Sequence, residues 1–300
     1  MAADKIPVLI GIGEILWDML PGGKQLGGAP ANFAYHANAL GGRGLPVSRI
    51  GDDELGREIL ARLERFGLDR GLVAVDPHHP TGTVDVHLDT HGVPQYVIHE
   101  KVAWDFLENS PQTFDLAARA NVVCFGSLAQ RSAGSRAAIT EFVGAVPRGC
   151  LRIFDINLRQ TYFSREVIDA SLRMSDVLKL NDGELPTLVE LLNLPVTESD
   201  ALAELMSRYS LRLIALTRGG AGSTLIASDG AVSTHYGFPV EVADTVGAGD
   251  AFTAALALGL LAGWSLHQIN DHANQVASYV CSQAGAMPAM PPNLAVLPRG

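Results

Sequence analysis

The chain has 300 residues, 47% of them hydrophobic and 18% charged, with 31 glycines. That composition describes a globular, loop-rich protein and excludes a disordered tail or a coiled coil. Acidic side chains outnumber basic ones 32 to 22, and no Lys/Arg cluster breaks the balance, so no nucleic-acid partner is expected and a small-molecule partner is. A chain of this length buries about three quarters of its unfolded surface, enough for one α/β unit with an appended subdomain.

The N-terminus carries one lysine before a short apolar run and lacks the hydrophobic stretch and cleavage site of a secretory signal. Apolar, β-rich runs then recur at Val8 to Ile12, Val122 to Phe125, Leu151 to Phe154, Val177 to Leu180 and Leu211 to Leu216. Helical patterns separate them, such as Leu55, Ile59, Leu63 and Phe66 ended by Gly67, or Leu202, Leu205, Met206 and Tyr209 begun by Thr197 with Asp200 three residues on. Buried strands alternating with helices predict an α/β fold with a doubly wound, mostly parallel sheet. Residues 81–99 depart from this pattern. They alternate in period two around Thr90 to Pro94, which predicts an antiparallel hairpin and a candidate lid. Five of the nine histidines, His78, His79, His87, His91 and His99, fall in or beside it without metal-ligand spacing. The longest apolar run, Ala254 to Trp264, is shorter than the ~20 residues a bilayer span needs and reads as a core helix, so no membrane partner is expected. Cys124, Cys150 and Cys281 show no CxxC spacing and read as reduced thiols of a cytoplasmic protein.

Each predicted strand ends in polar or glycine residues, and in open α/β sheets such carboxyl ends line one crevice. Asp244 to Asp250, DTVGAGD, stands before a helix predicted from Ala251 to Gly263. Glycines at a helix entrance turn free N–H groups toward one point, and the helix dipole makes that point an anion site. An aspartate there either accepts the proton of a nucleophile attacking a phosphoryl group or simply caps the helix. The tip Thr217 to Gly222 holds phosphates or makes a tight connection. Asn181 and Glu184 hold the water shell of Mg²⁺ or only start a helix. Asp155, Asn157 and Arg159 alternate, so an extended tip presents all three side chains to one side; the alternative is a loop ion pair. No GxxxxGK[ST] occurs, and Leu16 stands where a dinucleotide fingerprint needs its third glycine, which demotes P-loop and NAD chemistry.

Gly27 to Ala34 (GGAPANFA), Gly41-Gly42, Gly51 to Gly56 and Asp244 to Phe252 together resemble the two signatures of the PfkB (ribokinase-like) sugar kinases, in order along nearly the whole chain. The resemblance implies a Rossmann-like α/β domain over 1–300 with a small β-sheet lid from about 14–35 and 80–104. It implies Asp250 as general base and the backbone of Gly247, Ala248 and Gly249 as the hole for the γ-phosphate. It implies Asn181 and Glu184 as organisers of Mg²⁺, and Thr217, Gly219, Gly222 and Asn274 as the ATP site. Asp18, Gly28 and Asn32 are implied as sugar contacts, and Asp244 as the neighbour of a monovalent cation such as K⁺. Asp155-x-Asn157-x-Arg159 resembles the tip of fructokinases and 2-keto-3-deoxygluconate kinases, which makes Arg159 a substrate contact. Trp104 is expected to touch substrate from the lid, along with Val86, Tyr96, Val97 and Asp105. The GGAPAN segment is more similar to fructokinases than to ribokinases, although Val246 and Ile156 depart from the usual residues. The implied activity is transfer of the γ-phosphate of MgATP to a primary hydroxyl of a ketose, fructose first and 2-keto-3-deoxygluconate or ribose next. The alternatives are a kinase-derived sugar or nucleotide sensor and a dehydrogenase. Open edges on the lid make a homodimer through it an expectation.

Overall fold

The computed structural model describes residues 6–20, 22–88 and 94–297. In chain order the first elements are β1 (Val8–Ile12), β2 (Leu16–Leu20), β3 (Gly23–Gly27), α1 (Ala29–Ala39), β4 (Arg43–Gly51), α2 (Glu54–Arg65), β5 (Val73–Asp76), β6 (Gly82–Leu88) and β7 (Pro94–Ile98). Then come α3 (Pro111–Ala117), β8 (Val122–Phe125), α4 (Ala133–Ala145), β9 (Leu151–Asp155), α5 (Arg165–Arg173), β10 (Val177–Asn181), α6 (Leu185–Leu192) and α7 (Glu198–Tyr209). The chain finishes with β11 (Leu213–Thr217), β12 (Ser223–Ala227), β13 (Val232–His235), α8 (Ala248–Leu261) and α9 (Leu266–Cys281).

Nine strands form one sheet in the order β13-β12-β11-β10-β9-β8-β1-β4-β5, parallel except for β12 and β13 at one end. Its strands are buried on both faces. In β8, Val123 and Phe125 point into one core cluster while Val122 and Cys124 point into the other, as period-two alternation requires of a sheet covered on both sides. The chain runs from β1 outward to β4 and β5, then returns to β8 and continues through β11 on the other side. That reversal between β1 and β8 is the topological switch point, and it puts the ends of β1, β9, β10 and β11 on one rim.

The four remaining strands pair as β3-β2-β6-β7 in a separate small sheet over that rim. Trp17 of β2 is fully buried and its Nε1 donates to the Leu55 carbonyl of α2 at 3.0 Å, so the small sheet is anchored to the body at one end. The expected hairpin is present as β6 and β7. Its expected turn, Thr90 to Pro94, lies outside the described residues except for Pro94, which opens β7. Two boundaries differ in an informative way. The last parallel strand starts at Leu213 rather than Leu211. Helix α8 starts at Ala248, three residues before its expected start, because Gly247 caps it in a left-handed conformation (φ 80°). Glycine is required there, since a Cβ would lie 2.5 Å from the Ala286 carbonyl oxygen.

Candidate active site

Between the rim and the small sheet lies a cleft of about 770 Å³. The body contributes strand ends and the first turns of α1 and α8, and the small sheet contributes Leu16, Asp18, Val84, Val86, Tyr96 and Ile98.

Asp250 occupies the first turn of α8 and is 9% exposed. It does not cap the helix. Its Oδ2 instead accepts a 2.7 Å hydrogen bond from Nδ2 of Asn32 on α1, a residue 218 positions away. Burial, aided by the nearby Asp155 charge, pushes the Asp250 carboxyl up to about 6, against the pull of Asn32, Lys179 and Arg159. Desolvation thus outweighs the pull of the helix dipole, yet a carboxyl near 6 is still mostly ionised at neutral pH. Gly247, Ala248 and Gly249 line the cleft immediately before it.

Beneath this turn lies a buried pair that joins Asp155, expected on the tip, to Lys179, which is not an expected site residue. Lys179, in the middle of β10, makes a 2.9 Å ion pair with Asp155, its register partner on β9, and both side chains are at most 5% exposed. Thr253 of α8 donates to the other oxygen of Asp155 at 2.8 Å. A Cβ on Gly249 would lie 3.1 Å from Lys179 Nζ, so the ammonium underlies the glycine turn and adds positive potential where an anion would sit.

The tip after β9 is not extended. Asn157 turns it in the left-handed region (φ 43°), which breaks the expected alternation. Asn157 and the exposed Arg159 line the cleft, while Asp155 stays below with Lys179. Asn181 also lines the cleft, but Glu184 does not. Its two carboxylate oxygens accept from the backbone N–H groups of Leu158 (2.9 Å) and Asn181 (2.8 Å), so it ties the tips after β9 and β10 together. Among the described residues no three His, Cys, Asp or Glu side chains gather to hold a metal. The polar groups that do line the cleft there, such as the Asn181 amide, suit a metal that keeps water and phosphate oxygens around it.

Thr217, Gly219, Gly222 and Asn274 line the other end of the cleft. Gly222 has φ 88° and passes so close to the His235 carbonyl that no side chain would fit. Asn274 spends its amide donors inside the protein, on Ser223 Oγ (2.7 Å) and the Asn270 carbonyl (2.7 Å). Asp244 accepts from the N–H groups of Val246 (3.0 Å) and Gly285 (3.1 Å), which makes it a tie between the loop before α8 and the loop after α9.

At the opposite end, burial pushes Asp18 up to about 6, with Arg159 opposing and Asp244 adding to the rise. Gly27 leaves room for that carboxylate, and Gly28 (φ 109°) opens α1 beside it. Trp104 is not brought to the cleft. It is 1% exposed under the Arg131 guanidinium, whose partner is Asp105 at 2.8 Å, because the segment after β7 dives into the core. Of the other expected lid contacts, Val86 and Tyr96 face the cleft, and Val97 points outward from the alternate side of β7. Glu14 and Lys179 line the cleft as well, although neither belongs to a site segment legible in the sequence. Lys179 had a signal, a lone charge inside the apolar run Val177 to Leu180.

A switch-point cleft with a glycine-opened helix aimed at its floor, roofed by a separate small sheet, defines a ribokinase-like kinase. The sequence comparisons agree with the geometry: the model of the pfkB family of carbohydrate kinases matches residues 22–293, and the chain belongs to that family. It is 31% identical to a fructokinase of Klebsiella pneumoniae over 93% of this chain and 95% of that protein. Among solved structures, a sugar kinase of Pyrococcus horikoshii in complex with ATP superposes with a TM-score of 0.79 at 27% identity, covering 97% of this chain and 95% of the other. A fructokinase of Vibrio cholerae O395, bound to fructose, ADP and calcium ion, gives 0.80 at 25% identity, covering 98% of each chain. The protein is an ATP-dependent sugar kinase. Among the described residues no helix is long and apolar enough to cross a membrane.

Proposed function

We propose that the protein transfers the γ-phosphoryl group of MgATP to a primary hydroxyl of a ketose, with fructose as the substrate. The observation that carries this reading is the Asn32-held Asp250 in the glycine-opened turn of α8. A sugar hydroxyl presented to Asp250 loses its proton to that carboxylate as it attacks in line. The N–H groups of Gly247, Ala248 and Gly249, with the Lys179 ammonium beneath, neutralise charge on the transferring group. Thr217, Gly219, Gly222 and Asn274 hold the nucleotide. Asp18, Gly28, Asn32 and Arg159 hold the sugar. Asn181 would help to hold bound Mg²⁺, which would screen the phosphate charges, while Glu184 fixes the loop that carries Asn181. Asp244 ties the loop before α8 to the loop after α9, and a monovalent cation such as K⁺ would sit beside it. The fructokinase relatives in sequence and structure support fructose. The second reading, a 2-keto-3-deoxygluconate kinase, draws on Arg159, whose guanidinium lines the cleft and is able to pair a carboxylate.

Three free cysteines, none in a disulfide, agree with a cytoplasmic setting. The small sheet leaves β3 and β7 as edges, with Val97 of β7 47% exposed, and this is the surface we assign to a homodimer.

The test is ADP release from MgATP over a panel of fructose, 2-keto-3-deoxygluconate, ribose, mannose, glucose and adenosine, with Asp250→Asn in parallel. Fructose-dependent turnover is expected, and the variant is expected to lose at least ~10² in kcat with sugar and nucleotide affinity largely kept. Retained turnover in Asp250→Asn removes the aspartate from its role. Turnover restricted to another sugar removes fructose.

A further inference from the structure

We propose that Glu14 is a further sugar-binding carboxyl, and that it makes this subsite take an uncharged polyhydroxyl sugar in preference to a sugar acid. The inference rests on the kinase reading and deepens it. Glu14 follows β1 directly at the switch point, is 4% exposed and forms part of the cleft wall. Its Oε2 is buried with no hydrogen-bond partner. A buried carboxyl oxygen left unpaired is costly, and folded proteins keep few of them without a use. The backbone N–H of Ala29 at the start of α1 holds the carboxyl in place, and the unpartnered Oε2 is the oxygen left for a ligand. The backbone at Glu14 is fixed: a Cβ on Gly28 would collide with the Glu14 carbonyl oxygen, so closely is the start of α1 pressed against it. Helix α1 carries Asn32, and through Asn32 the same wall reaches Asp250.

Glu14 and Asp250 sense each other electrostatically, and Asp18 completes a wall of carboxyls around the sugar end of the cleft. Burial raises the proton affinity of each of them. Two cations are near: Lys179 is committed to Asp155, and the exposed Arg159 lowers the proton affinity of all three carboxyls without cancelling the rise that burial causes. Hydroxyl groups suit such a wall because they donate to a carboxylate and accept from a carboxylic acid. A substrate carboxylate meets like charge in a low-dielectric pocket.

The experiment compares wild type with Glu14→Gln in the ADP-release assay, using fructose and 2-keto-3-deoxygluconate, with thermal midpoints recorded for both proteins. The KM for fructose is expected to rise about tenfold in Glu14→Gln, with kcat within about threefold and the KM for MgATP unchanged. The preference for the neutral sugar over the acid is expected to shrink. A merely structural role lowers the thermal midpoint and shifts kcat or the MgATP KM together with the sugar KM, and that pattern overturns the proposal, as does an unchanged fructose KM. Should wild type turn over a different neutral sugar, that sugar takes the place of fructose: the fructose reading then fails while the role of Glu14 is still decided. Calorimetric titration of wild type with fructose and with 2-keto-3-deoxygluconate decides the case even where the variant does not fold. Equal or tighter binding of the acid overturns the proposal and leaves the kinase reading standing.

Discussion

The Asp250 carboxyl, raised to about 6 by burial, is mostly ionised at pH 7 and so still available as a proton acceptor. Below that value it fills with protons, and kcat/KM for the sugar is expected to fall about tenfold per pH unit on the acid side, with the limb centred near pH 6. An acid limb centred near pH 4 would show that burial does not control this group. The same shift has a consequence for stability. A carboxyl whose proton affinity is higher in the folded than in the unfolded state stabilises the fold when protonated, and that contribution is lost as pH rises through its folded value. At pH 8 the folded protein therefore carries a buried charge that the Asp250→Asn variant lacks. This substitution is expected to raise the thermal midpoint by about 3–6 °C at pH 8 and by progressively less as pH falls to 4, where both side chains are neutral. Scanning calorimetry at several pH values checks this, and an equal shift at pH 4 and pH 8 would assign the gain to packing instead of charge. The residue whose loss disables the reaction is thus also the one whose replacement steadies the fold.

At the scale of elements, β9, β10 and α8 meet at one buried cross-strand pair. Asp155 and Lys179 face each other in register, and Thr253 and Gly249 of α8 rest on them, so the pair fixes the height of the helix turn above the sheet. Removing one partner strands the other charge in the core. Lys179→Met is expected to cost about 3–5 kcal/mol in a denaturant titration, and the double change with Asp155→Leu is expected to recover most of it. A single variant as stable as wild type would mean that water reaches Asp155. The chain's pattern shows these elements unevenly. Strand runs such as Val122 to Phe125 are legible because both faces are apolar, whereas DTVGAGD, open on spacing alone between a base and a helix cap, is legible only through its resemblance to a family signature that follows GGAPAN in order. Lys179 is obscured because a lysine within an apolar strand carries no mark of its partner, which is 24 residues away. Asn157 is misread because alternation assumes an extended backbone, and one left-handed residue reverses the side that follows. Trp104 is misplaced for a similar reason. An aromatic residue after a lid strand suits a ligand or a core equally, and only the Arg131–Asp105 pair above it decides for the core.

The whole molecule is two sheets that share a cleft and are joined unevenly. At the α2 end the small sheet is fixed by buried Trp17. At the β7 end it is held by lighter contacts from the loop after β9: Gln160 Nε2 donates to the Tyr96 carbonyl at 2.6 Å, and the Tyr162 hydroxyl donates to the Ile98 carbonyl at 3.2 Å. Gln160 is exposed and adopts φ 48°, so its backbone is held in a conformation that other contacts must maintain. The doubly wound, mostly parallel class could be read from strand and helix alternation, but this latch could not, since its acceptor is a backbone carbonyl 64 residues away. A kinase that holds ATP beside an acceptor hydroxyl must keep water from taking that hydroxyl's place, and a roof latched at its free end supplies the exclusion. Gln160→Ala removes the donor without touching the cleft floor. ATP hydrolysis without sugar is expected to rise several-fold and the sugar KM to increase by about threefold to tenfold, while the thermal midpoint moves by less than about 2 °C because the lost bond is exposed. ADP release measured with and without sugar separates these quantities. If hydrolysis without sugar stays at the wild-type rate while the sugar KM rises, the loop only orders the sugar site, and the seal against water lies in the apolar side chains of β6 and β7.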